Sequence, residues 1–150
     1  MATRFRVRGP GSGRLDMTER GLVMTDKPIL EPSPSHPITI TPNPARIVVS
    51  VAGRVVADSR SALTLREAAY PPVQYIPIAD VDRSLLERTD TATYCPFKGD
   101  ASYYTVTVDG KQAVDAVWFY ESPYPAVAEI KDHVAFYPDR VDSIVEEPAA

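Results

Sequence analysis

From Ser102 to Tyr120 the chain spells two alternating runs on either side of an Asp109-Gly110 pair, which leaves its backbone few options. In the first run Tyr104, Val106 and Val108 share one face, and Tyr103, Thr105 and Thr107 share the other. That period of two is the mark of a half-buried strand. Asp-Gly accepts the positive φ angles of a type I′ turn. The return strand, about Ala113 to Tyr120, sets Val117 and Phe119 opposite Ala116, Trp118 and Tyr120.

Similar signals recur. Arg46–Val51 and Arg54–Asp58 are β-branched runs joined by Ala52-Gly53, a second hairpin. Ala62–Glu67 alternates Leu63 and Leu65 against Thr64 and Arg66. After the Pro71-Pro72 break, a short strand is expected over Gln74–Ile78, and another over His133–Tyr137. Asp80–Arg88 reads as a two-turn helix capped by Asp80 or Asp82, and Ser122–Lys131 as a short helix with proline in its first turn. Strands linked by tight turns predict a mainly β, single-domain fold, an antiparallel rolled sheet or barrel with two short helices.

The expected domain spans residues 46–142. Residues 1–45 hold seven of the fifteen prolines and read as an extended arm, because proline removes a backbone donor and pins φ. Within the arm, Pro37-Ile-Thr-Ile-Thr41 alternates and fits a sheet edge, and the basic Gly/Arg stretch before Met17 and Met24 fits a natural start as late as Met24. Residues 143–150 read as a frayed tail.

Charge and cysteine content narrow the function classes. Residues 46–150 carry ten Lys/Arg against sixteen Asp/Glu, so no nucleic-acid partner is expected: a phosphate backbone rewards the opposite sign. No apolar run approaches the roughly 18 residues of a membrane span. The basic N-terminus is followed by no apolar segment of a secretory signal, and the single cysteine excludes an internal disulfide. A cytoplasmic protein without a membrane partner is expected, and a homo-oligomer is compatible with the sequence.

The residues with chemistry to offer gather at Tyr94-Cys-Pro-Phe-Lys-Gly99. A thiolate is a good nucleophile when a cation lowers its pKa, and Lys98 follows Cys95 by three residues. The opposing interpretation makes Cys95 a small buried hydrophobe. Lys98 before Gly99 can also hold an anion with loop amides. Glu67 and Asp115 are strand carboxylates that need partners if they face inward, and Arg66 or Lys98 can supply one for Glu67. His133 is a candidate base if the fold brings it to Cys95. Cys95, Lys98 and Glu67 are therefore the candidate catalytic residues. Tyr94, Gly99, Tyr103 and Trp118 are the candidate ligand-binding ones, since aromatic rings with polar tips can line a pocket for a flat ligand.

No metal is expected, because one cysteine with His36 and His133 lacks the paired spacing of a zinc site and Asp82 or Asp80 already serves as a cap. No cofactor is expected either, as the glycines spell neither a dinucleotide fingerprint nor a P-loop.

The stretch Tyr94-Cys95-Pro96-Phe97-Lys98-Gly99-Asp-Ala101-Ser-Tyr103-Tyr104 resembles the hallmark of family 427 in the domain-of-unknown-function series. Tyr75-Ile-Pro77, the Asp109-Gly110 turn, Asp115–Tyr120, Pro123–Ile130 and Val134–Val141 follow the same family's pattern, so the resemblance covers about residues 46–142. It implies a small, mostly β domain and brings no established reaction. The family is also labelled nucleotidyltransferase-like; such enzymes need clustered carboxylates for Mg²⁺ and a Gly-Ser phosphate loop, for which only Asp80/Asp82 and Asp109/Asp115 offer carboxylates. The functional expectation is a small-molecule-binding domain, enzymatic or not, with its pocket around Tyr94–Gly99. Its alternative is a non-catalytic structural or protein-interaction module.

Overall fold

A computed structural model describes residues 27–149, and those from Glu31 onward belong to one compact unit. Among the described residues ten strands make two antiparallel sheets. They are β1 (Ile38–Asn43), β2 (Arg46–Val51), β3 (Arg54–Ser59), β4 (Ala62–Glu67) and β5 (Val73–Pro77), followed by β6 (Leu86–Cys95), β7 (Gly99–Val108), β8 (Lys111–Tyr120), β9 (His133–Phe136) and β10 (Ser143–Glu147). The large sheet runs β1-β4-β5-β9-β8-β7-β6, and the small one β10-β2-β3. The large sheet ends in two unjoined edges, β1 and β6, so the closed-barrel option is not what forms.

Both hairpin turns take the expected form: Ala52 and Gly53 have φ of 50° and 77°, and Asp109 and Gly110 have 50° and 79°. Alternation along the strands then supplies two cores, one on each face of the large sheet. On one face Ile76, Val106, Val117, Val134 and Phe136 meet Ile47, Val49 and Val56 of the small sheet. On the other, Leu65, Tyr75, Tyr103, Tyr120 and Ala135 pack against Val127 and Ile130. Each large apolar side chain so buried contributes about 1.5–3 kcal/mol.

Three segments depart from their sequence-based description. The Asp80–Arg88 helix is absent: Ile78–Asp80 and Arg83–Leu85 are single 3₁₀ turns, and Leu86 begins β6. Asp82 does cap, accepting from the Ser84 amide at 3.1 Å and its hydroxyl at 2.6 Å. Beyond that turn, pairing of Leu86, Glu87 and Arg88 with Val106, Thr105 and Tyr104 claims the backbone. Cross-strand hydrogen bonds, and the fork of Arg88 on Glu121 at 2.9 and 3.0 Å, outweigh a weak helical preference. The second helix is likewise 3₁₀, over Pro125–Ile130. Ser143–Glu147, read as frayed, is β10, paired with β2 from Ser143↔Ser50 to Glu147↔Arg46.

In the arm, Ile38–Asn43 pairs with β4 as the edge strand that its alternation suggested. The question of a start at Met24 falls outside the described residues. Among the described residues no helix is long and apolar enough to cross a membrane.

Two bulges bend the sheet around β7. The β7–β8 register shifts between Tyr104 and Val106, and the β6–β7 register between Arg88 and Ala92. Asp115 sits at the first with φ of 50°, and its carboxylate accepts the Thr89 and Thr91 hydroxyls at 2.6 Å each. Those two bonds hold its pKa below the ordinary aspartate value and give this strand carboxylate its partners. Bulged strands bend and twist more sharply, so the sheet is locally curved around β7.

Candidate functional site

The link between β6 and β7 is a tight turn, Cys95-Pro-Phe-Lys98, closed by the Lys98 amide donating to the Cys95 carbonyl at 3.1 Å. Gly99 leaves it with φ of +116°, and a Cβ there would stand 3.3 Å from the Ser122 carbonyl oxygen. The Tyr124 amide in turn donates to the Lys98 carbonyl at 3.0 Å, tying the turn to the chain after β8. So held, Lys98 folds inward and is only 7% exposed.

A lysine that deep needs a counter-charge, and Glu67 at the end of β4 provides it with Nζ–Oε1 of 2.5 Å. The other carboxylate oxygen of Glu67 lies 2.7 Å from His36 Nε2. The His36 ring stacks on Phe97 of the turn, with centroids 4.1 Å apart and planes within 3°. Lys98 Nζ also lies 3.6 Å from Cys95 Sγ. Cys95, Lys98, Glu67 and His36 therefore form one connected polar cluster built from three separate segments. Burial acts to raise the Glu67 pKa, but the bonds from Lys98 and His36 outweigh it and hold the carboxyl below its ordinary range.

Two members of the cluster border a cavity of about 280 Å³, just below the usual range for small-molecule sites. Lys98 and Glu67 line it together with Tyr75, Tyr103, Trp118, Tyr120, Tyr137 and Thr93. Exposed Tyr70 and Pro71 stand at its rim. The aromatic wall is knitted by its polar tips. Trp118 Nε1 donates to Tyr75 Oη at 3.2 Å, and the Tyr103 hydroxyl lies 2.8 Å from Thr93 Oγ1 and 3.4 Å from Tyr137 Oη. Burial drives the Tyr75 and Tyr120 phenols upward, and burial with the Tyr103 hydroxyl pushes Tyr137 to about 12. Those three phenols are thus uncharged near neutral pH, and the Asp, Glu, Lys or Arg side chains lining the cavity are Lys98 and Glu67.

Of the residues singled out from sequence, Lys98, Glu67, Tyr103 and Trp118 line the cavity, and Cys95 stands behind Lys98, half-buried. Tyr94 and Gly99 do not line it. The Tyr94 hydroxyl meets Tyr124 Oη at 2.7 Å, and Gly99 serves the backbone of the turn. His133 lies at a different cavity, with its Nδ1 2.8 Å from the Lys131 carbonyl. His36, which the sequence places in the arm, joins the cluster through its contact with Glu67. Its only signal was the strand-like alternation of the residues that follow it.

The aspartates weighed for metal are engaged apart from one another. Asp80 accepts from Ser59 at 2.6 Å, Asp82 caps its turn and meets Arg54 at 3.2 Å, and Asp115 holds the bulge. Among the described residues no three His, Cys, Asp or Glu side chains converge as a metal-holding group.

No curated protein matches the sequence. The chain belongs to the family described as a domain of unknown function (DUF427), whose model matches residues 39–147.

Proposed function

We propose that the chain binds a small, flat, acceptor-bearing molecule in the cavity walled by Lys98, Glu67 and the aromatic residues. The observation that carries this reading is the inward Lys98 ammonium. Two of its three donors are directed at Glu67 and Cys95, which leaves a third for a ligand in the cavity that it lines. Because Glu67 already balances its charge, a neutral carbonyl suits the site better than a dianion, whose charge would lack compensation. Tyr103 and Trp118 supply aromatic lining suited to a planar body.

Cys95 stands 3.6 Å behind the Lys98 ammonium and is not part of the cavity lining, so the reading is one of binding, with Lys98 as the residue that meets the ligand. A thermal-shift screen of planar carbonyl compounds on wild type, Lys98→Ala and Cys95→Ser tests the binding reading. Stabilisation of wild type that vanishes in Lys98→Ala and survives in Cys95→Ser is expected. A flat response from wild type, or equal shifts in Lys98→Ala, would sink it.

A further inference from the structure

Thr64 and Arg66 alternate with Leu65 and Glu67 along β4, so they face the opposite side of the sheet from the cavity just described. A second and larger cavity, about 640 Å³, lies there, well inside the range of small-molecule sites. Ile76, Phe136 and Ile144 supply apolar lining.

Its polar lining is selectively satisfied. Gln74 Oε1 accepts from both Asn43 Nδ2 at 3.0 Å and Thr64 Oγ1 at 2.9 Å, so the amide orientation is set, and its Nε2 has no acceptor among the described residues. The Arg66 side chain, at the same cavity, makes neither an ion pair nor a hydrogen bond among the described residues. Glu146, by contrast, is bonded to Asn43 at 3.2 Å. Among the described residues, then, nothing beside this apolar lining accepts from the Arg66 guanidinium fork or from the Gln74 amide N–H₂.

We propose that this cavity is a second ligand site, specific for a small amphipathic carboxylate whose apolar body rests on Ile76, Phe136 and Ile144 and whose carboxylate meets Arg66 and the Gln74 amide. The guanidinium fork matches a carboxylate with two parallel bonds. One cation compensates one negative charge, and the Glu146 carboxylate in the same lining disfavours a doubly charged phosphate.

The test is a titration of the full chain with phenylacetate, followed by ligand-observed NMR, beside 2-phenylethanol and inorganic phosphate as comparison probes. Arg66 is exposed, so Arg66→Ala is expected to fold as wild type does. Phenylacetate is expected to bind wild type at about millimolar or lower concentration, and at least about tenfold more weakly to Arg66→Ala and to Gln74→Leu. In Lys98→Ala its affinity is expected to stay within about twofold of wild type, which separates this site from the Lys98 cavity. Absence of binding at about 10 mM, equal affinity in Arg66→Ala, or loss in Lys98→Ala instead overturns the proposal. So does 2-phenylethanol binding as tightly as phenylacetate, or phosphate binding more tightly.

Discussion

Glu67 and Lys98 show how a buried charge becomes tolerable, and at what cost when the arrangement is disturbed. Their side chains are 14% and 9% exposed, so removing either one leaves the other poorly solvated. Lys98→Met is expected to lower stability by about 2–3 kcal/mol, measured by urea unfolding at neutral pH, with His36 limiting the loss by keeping its bond to Glu67. A pH dependence follows from the same carboxylate. Its pKa is lowered in the folded state, so its stabilisation is complete above the ordinary glutamate value and is lost as pH falls through the lowered one. Wild type should therefore lose stability more steeply in acid than Glu67→Gln does. Parallel slopes for the two proteins between pH 7 and about pH 3 would show that the pair adds nothing. The need for a partner at Glu67 was legible from a carboxylate on a strand, as was Lys98 among the candidates. His36 was not, because nothing local reports a contact between residues 31 positions apart.

At the scale of elements, the chain's turns were the most legible part, since glycine and aspartate at positive φ are a local requirement. Ala52-Gly53 and Asp109-Gly110 both announce themselves this way. Gly99 stands out in the sequence only as a neighbour of Lys98, yet its role is steric. Gly110→Ala meets nothing within 4 Å and is expected to cost only the backbone strain of φ +79°, about 1 kcal/mol. Gly99→Ala adds a close approach to the Ser122 carbonyl at φ +116°, so about 2 kcal/mol or more is expected, together with loosening of the turn that aims Lys98. Equal unfolding midpoints for the two variants would argue against that role. The strands β6 and β10 were illegible for the opposite reason. Leu86–Cys95 carries mixed signals, and Ser143–Glu147 is short and acidic. β6 becomes a strand by pairing with β7 across the Cys95–Lys98 turn, and β10 by pairing with β2, a partner far earlier in the chain, each covering an edge that its own residues do not announce.

Over the whole molecule, Trp118 is where the two faces of the sheet meet. With Val73 it lines both cavities, and its indole reaches across from β8 to the Tyr75 hydroxyl of β5. Trp118→Ala is expected to join the cavities, strand the buried Tyr75 hydroxyl and cost about 3 kcal/mol, whereas Trp118→Phe should cost about half that. Differential scanning calorimetry of the two variants checks the order, and an alanine variant as stable as wild type would contradict the partition. From the amino-acid order alone came the mainly β class, both hairpins, most strand positions and four of the residues that line the Lys98 cavity. Each of these rests on interactions within a few residues: side-chain alternation, turn φ angles and β-branching. Folding in three dimensions added what no local rule contains. It left the sheet open at β1 and β6, recruited β10 and His36, and put two cavities on opposite faces of one sheet. Those outcomes depend on which distant segments can bury surface and pair backbone together, and that is settled only when all the strands compete for the same partners.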